Sequence, residues 1–153
     1  NLKKFSKEKF KVFHPGGNIG NSLLLSKDIM ITGKKMTVIN YKNSFKNELR
    51  VMNKKNLGIL VILKNRFIQG IVTDGDLRRE LKDYSKEKNL SKFMTTGPLV
   101  VNENMPASKA LAIMNEKKIT SLLVVSDKDF KKKNKILKGI IHIHFLLRTG
   151  LTW

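Results

Sequence analysis

The sequence predicts an α+β fold in which two βαββα units pack as a pseudo-twofold pair. Three observations carry that expectation. The chain repeats itself: Met36-Thr37-Val38-Ile39-Asn40 corresponds to Pro98-Leu99-Val100-Val101-Asn102, and Gly70-Ile71-Val72 to Gly139-Ile140-Ile141. Each repeat holds a continuous apolar run, Ile59–Leu63 or Leu122–Val125, without the alternation of a half-exposed strand, so both faces should be covered. A unit of roughly 60 residues is marginal alone, so two should share a core.

Taken in order, residues 1–13 are basic and mildly apolar, and look like the end of something upstream. Pro15, Gly16 and Gly17 then make a tight turn that fixes His14 in place. An imidazole titrates near neutrality, so His14 is a candidate acid/base group as well as a plain turn residue. Asn18 or Asn21 caps a short apolar helix through Leu23, Leu24 and Leu25. The first repeat follows: a strand Thr37–Asn40, a helix with Phe45, Leu49 and Met52 on one face, the apolar strand, a hairpin, and a strand ending at Val72. A helix with Leu77, Leu81 and Tyr84 closes it, and Asp83 to Ser91 is a polar link. The second repeat has a strand Leu99–Asn102 and a helix with Pro106 in its first turn and Ala107, Ala110, Leu111 and Met114 on one face. Its third strand ends at Ile143, and Phe145–Leu147 begin the last helix. The repeat offset grows from 62 (Met52 to Met114) to 69 (Gly70 to Gly139), and the extra residues fall in the Lys-rich loop Asp127 to Lys135, read as a solvated hairpin tip.

The chain has 153 residues, 41% of them hydrophobic, which suits a folded domain or two small units with one core. It opens on Asn1 rather than Met, which points to a piece of a longer protein. No apolar run reaches the roughly 18 residues of a membrane span, and no signal peptide is present, so no membrane partner is expected. Cysteine is absent, which excludes disulfides, a thiol nucleophile and a cysteine-ligated metal, and fits a cytoplasmic setting. The net charge of +19 has the sign for a polyanion, but its lysines are scattered, and codon bias in an AT-rich genome suffices to explain it. No aromatic RNA-binding motif or helix-turn-helix pattern accompanies it, so nucleic acid is not the expected partner.

The segment with most chemistry is Gly70-Ile71-Val72-Thr73-Asp74-Gly75-Asp76-Leu77-Arg78-Arg79. It reads as a buried strand running into a helix, with Thr73 and Asp74 as caps. A helix start attracts a phosphate, whereas the carboxylate of Asp76 suits the hydroxyl pair of a ribose. Thr73 and Asp76 thus point to a nucleotide or sugar-phosphate pocket, with Arg78 or Arg79 in reach of an anionic group. The same residues also make an ordinary helix cap with a favourable dipole interaction, and both readings stand at this point. His142 and His144 are placed on one face of a strand; with no third ligand evident, no metal site is expected.

A tandem βαββα repeat with Gly-x-x-Thr-x-x-Asp after its third strand resembles a pair of CBS domains. That resemblance implies nucleotide ligands in the cleft between the units, with Gly70, Thr73 and Asp76 at the matching positions. The second copy departs, with His142 in place of the Thr and Phe145 in place of the Asp. Phe13 through Gly20, Asp28-Ile29-Met30, Lys55-Asn56-Leu57-Gly58, Gly70 through Arg79 and His142-x-His144-x-Leu146-Leu147-Arg148 occur in this order in D-arabinose-5-phosphate isomerases. The resemblance to that family implies a sugar-isomerase (SIS) domain ending in residues 1–27, a first CBS unit over 28–86 and a second over 87–153. It implies an aldose–ketose isomerase as the parent, supplying Kdo for lipopolysaccharide, with His14 in its catalytic site and the rest of that site elsewhere. The fragment alone should then be inactive. No cofactor is implied. The implied effector is AMP, ATP or CMP-Kdo, held by Gly70, Thr73, Asp76, Arg79 and His142, and the implied protein partner is a further copy of the chain. A pure oligomerisation module and a stand-alone nucleotide sensor are the alternatives.

Overall fold

The computed structural model describes residues 23–42, 50, 52, 54–55, 57–80, 92 and 94–151. His14, Phe45, Leu49, Leu81, Tyr84 and the link Asp83 to Ser91 lie outside them. The described elements are helix α1 (Ser26–Ile29), strands β1 (Val38–Asn40), β2 (Ile59–Lys64) and β3 (Phe67–Thr73), helix α2 (Asp74–Glu80), strands β4 (Thr95–Thr96) and β5 (Val100–Asn102), helix α3 (Ala107–Lys117), strands β6 (Ser121–Val125) and β7 (Gly139–His142), and helix α4 (Ile143–Arg148). One sheet has the order β1-β2-β3-β4 and the other β5-β6-β7.

The two sheets repeat one register. Parallel β1 and β2 pair Val38 with Val61, and parallel β5 and β6 pair Val100 with Leu123. Antiparallel β2 and β3 pair Ile59 with Thr73 and Ile62 with Gly70; β6 and β7 pair Ser121 with His142 and Val124 with Gly139. These are the partners that the two repeat offsets predict. The insertion also falls where the sequence puts it. β2 and β3 are joined tightly by Asn65 and Arg66, both at positive φ (51° and 72°), which suits the twist of a two-residue hairpin. The longer connection of the second unit is not merely a solvated tip: Ile68 N–H donates to the Lys135 carbonyl at 2.9 Å, and Phe67 bridges Ile136, so its returning arm lies on the first sheet.

The apolar runs alternate between two buried faces. Ile59 and Val61 of β2 join Leu123 of β6 and Ile140 of β7 in one cluster between the sheets. Leu60 and Ile62 face the other way, onto Met52, Val72 and Leu77. Leu122 and Val124 pack on Ala107, Ala110, Leu111 and Met114 of α3, the face that the sequence predicts. The result is helix, sheet, sheet, helix, with β2, β6 and β7 buried on both sides.

The segment leading into each unit crosses to the opposite sheet. Ile31 exchanges both backbone hydrogen bonds with Ile140 of the second unit, at 2.8 and 3.0 Å, and Ser26 and Ala107 tie the segment before it to the loop ahead of α3. In the same way β4, just ahead of the second unit, pairs with Gly70 and Ile71 of the first. Two glycines permit the crossings. A β-carbon on Gly139 would sit 2.5 Å from Met30 Sδ, and one on Gly70 would sit 2.6 Å from the Thr95 carbonyl oxygen. Gly139→Ala should therefore destabilise the fold by about 1–3 kcal/mol, the usual cost of overpacking. Met30→Ala should recover part of that loss in the double variant, as read by urea denaturation; strictly additive losses would show that Met30 is not what the β-carbon meets.

Candidate functional site

At one end of the seam a cleft of about 770 Å³ opens between the halves. The first unit lines it with Leu57, Gly58, Ile59, Thr73, Asp74 and Asp76, the second with Lys118, Ile119, Thr120, Ser121, His142 and His144. Both units present the same structural positions here. The end of the third strand is held to the loop ahead of the second strand by one hydrogen bond in each half, Asp74 N–H to the Gly58 carbonyl at 3.1 Å and Ile143 N–H to the Thr120 carbonyl at 2.9 Å.

Thr73 and Asp76 meet in this cleft, and they meet each other. Asp76 Oδ2 accepts from Thr73 N–H and from Thr73 Oγ1–H, each at 2.9 Å, while Thr73 Oγ1 accepts from Asp76 N–H at 3.3 Å. This is a reciprocal capping box at the start of α2. Arg79 donates to Asp76 Oδ1 from an exposed position one turn on. An ionised carboxylate offers about four acceptor sites, so Asp76 keeps room for a hydroxyl donor after these bonds. The capping reading is thus realised, and the same two residues line the cleft.

The remaining sequence-based candidates divide. Arg79 reaches the cleft through Asp76 and does not line it, and Arg78 is exposed. Gly70 lies outside the lining, beneath the crossing of Met94 and Thr95. His142 lines the cleft, but it ends β7, and His144 belongs to α4. Their placement on one strand face is therefore corrected: the chain turns into a helix between them, which brings the rings to 4.9 Å between centroids. Among the described residues no cluster of three metal-binding side chains occurs. Phe145, standing where the first unit has Asp76, packs in the inter-sheet cluster. One half of the cleft therefore has the carboxylate and the other lacks it. Ser121 belongs to the site although no motif marks it; its one signal is the repeat, which aligns it with Ile59 and so sets a hydroxyl in a buried apolar run.

The structural neighbours have the same architecture. The chain superposes on CBSX2 in complex with AMP with a TM-score of 0.67 at 23% identity, covering 81% of this chain and 93% of that one. It superposes on the CBS domain pair of protein MJ0100, in complex with 5′-methylthioadenosine and S-adenosyl-L-methionine, with a TM-score of 0.69 at 21% identity, covering 82% and 94%. Residues 90–144 match the CBS domain family. That match lies in the second half of the chain, and the likeness to the two solved pairs shows the same fold for the whole. Its two halves form a CBS pair, the fold that the repeat predicts. Arabinose 5-phosphate isomerase KdsD of Escherichia coli (strain K12) is 38% identical over 151 residues, which is 96% of this chain and 44% of that protein. The CBS pair thus spans less than half the length of the curated relatives it matches.

His142 gives the site a pH signature. Burial holds its imidazole below the ordinary value, and the charge of nearby His144 adds to this. The unfolded chain therefore takes up this proton first as pH falls, so stability is intact above pH ~6.5 and is lost below it. The urea midpoint should drop between pH 7.5 and 5.5. His142→Asn, which keeps an acceptor for the His144 N–H, should flatten that slope; an unchanged slope would assign the titration to another group.

Proposed function

We propose that this CBS pair is the regulatory, nucleotide-sensing part of an arabinose-5-phosphate isomerase. Its parent would interconvert ribulose 5-phosphate and arabinose 5-phosphate in the cytoplasm, upstream of Kdo and lipopolysaccharide. His14 would belong to the isomerase site, by resemblance to that family, and the 153 residues alone would be inactive. The observation that carries the reading is the cleft between the halves, where Thr73 and Asp76 hold a hydroxyl and a carboxylate against an apolar wall of Leu57, Ile59 and Leu123. A sugar with vicinal hydroxyls suits the first feature, and the flat face of a base suits the second. The adenine-nucleoside ligands of CBSX2 and MJ0100, and the identity to KdsD, support it. AMP, ATP, CMP and CMP-Kdo are the effectors to test. Binding would bias the attached isomerase by a coupling of about 1–3 kcal/mol, and copies of the chain would associate through their CBS pairs and isomerase domains.

A second reading has its own observation. The Thr73–Asp76–Arg79 bonds are complete without a ligand, as a pair that serves only to assemble the oligomer would have them. Thermal unfolding with each of the four compounds separates the two. A sensor should gain roughly 5–10 °C at a hundredfold excess over Kd with one of them. Asp76→Asn should shrink that gain. No gain with any compound, in wild type and variant alike, would leave the assembly role.

A further inference from the structure

We propose that the end of the molecule opposite the cleft is a basic docking face for an anionic lipid bilayer, whatever the cleft itself binds. Residues 126–138, which join β6 to β7, hold the insertion that the first unit lacks, and six of these thirteen are lysine. The tip of the first unit is set beside them. Ile68 N–H donates to the Lys135 carbonyl at 2.9 Å and Phe67 bridges Ile136, so Lys64 and Arg66 of the tight hairpin join the same patch. Thr73 lines the cleft at the far end of β3, and the strand between it and Phe67 spans about 20 Å. Codon bias accounts for the number of lysines in the chain; it does not account for basic residues of two units gathered at one end.

The loop is built rather than loose. The N–H groups of Asp129 and Phe130 donate to the Ser126 carbonyl, at 3.1 and 3.0 Å. Its two carboxylates are used close to home: Asp127 accepts from Asn102 Nδ2 at 2.6 Å, and Asp129 pairs with Lys132 at 2.9 Å. Nearby Glu103 pairs with Lys138. Lys64, Arg66, Lys131 and Lys133 are exposed and, among the described residues, form no ion pair. Ile136, 39% exposed, sets an apolar side chain among them. Three features choose the occupant. A second copy of the chain would meet like charge, since the net charge is +19. The patch has one arginine among its lysines; fixed recognition of carboxylates or nucleic-acid phosphates favours the arginine fork, whereas flexible ammonium groups suit the mobile headgroups of a bilayer. Contacts to a phosphate backbone give no part to an exposed isoleucine, which can enter the boundary between headgroups and acyl chains.

Co-sedimentation of the full 153-residue chain with vesicles tests this. The chain should bind phosphatidylcholine vesicles containing about 30% phosphatidylglycerol at ~0.1 M salt and should ignore phosphatidylcholine alone; at ~0.5 M salt its affinity should fall about tenfold or more. Arg66→Gln, Lys131→Gln and Lys133→Gln combined should weaken binding about a hundredfold, or about fivefold per charge. Lys34→Gln, Lys35→Gln and Lys117→Gln combined remove the same charge at exposed positions toward the cleft end, and should cost less than about fivefold. Ile136→Asn should weaken vesicle binding about three- to tenfold and leave its salt dependence unchanged. No binding to the anionic vesicles, or equal losses in the two triple variants, would overturn the docking face. An oligonucleotide that strips the chain from the vesicles at equal phosphate concentration, with Ile136→Asn without effect, would overturn it in favour of nucleic acid.

Discussion

The structure depends on one contact, the apolar seam where Ile59 and Val61 meet Leu123 and Ile140. Each unit has a single layer of helix to cover one face of its sheet. The other face carries β-branched and leucine side chains that a lone unit would leave in water. Burying one such side chain is worth about 1.5–3 kcal/mol, so the joined sheets gain what neither unit could gain alone. The crossed leading segments make this join topological as well as hydrophobic. Ile31 adds to the second sheet and β4 to the first, so separating the halves would also break backbone hydrogen bonds at both edges. A seam closed in this way holds the cleft at its end to a fixed shape.

Pseudo-symmetry then explains why the site lies where it does and why it is lopsided. Identical registers bring the end of each third strand to the same end of the seam, so Thr73 and His142 face one opening from opposite sides. Two pairs of residues kept in both copies serve the fold: Gly70 and Gly139 admit the crossing segments, and Asn40 and Asn102 each turn the chain by accepting from the backbone N–H two residues on. Several of the differences between the copies fall in the cleft. Ile59 against Ser121, Thr73 against His142, Gly75 against His144 and Asp76 against Phe145 are aligned positions, and three of the four pairs line the opening with both members. Unlike residues on the two sides of one cavity are what a ligand without twofold symmetry would require.

Much of this is legible in the sequence because a repeat is a distance constraint in disguise. Two copies with one pattern must reproduce each other's pairings, and the shift in offset alone locates the insertion between the second and third strands of the second unit. The faces of α3 and of the apolar strands follow from spacing. Less legible are the features that depend on three-dimensional closure. The crossing of Ile31 onto the second sheet pairs residues far apart in the chain and leaves no periodic trace. Gly70 reads as part of a ligand motif, whereas it sits beneath Met94 and Thr95; a motif pattern does not tell a glycine needed for a ligand from one needed for a neighbouring strand. His142 and His144 look like one strand face only if period two is carried one residue past the point where the chain turns into α4.

The capping box at Thr73 and Asp76 bears on how such a site would work. It does not compete with a ligand role, since the bonds that cap α2 fix the Asp76 carboxylate where it lines the cleft and leave it about one acceptor site, while Arg79 braces it from outside. A carboxylate already held by its own helix loses little freedom when a sugar hydroxyl arrives, and less ordering means more of the contact energy appears as affinity. The opposite wall is built otherwise. Among the described residues Ser121 Oγ has no hydrogen-bond partner, and burial holds the His142 imidazole below its ordinary value, so that wall is less fully bonded than the first. In the proposed sensor, the rigid side would take the sugar and the less fully bonded side would be the one to adjust. That other side continues directly into β7 and α4, whose apolar residues pack both on α3 and in the seam.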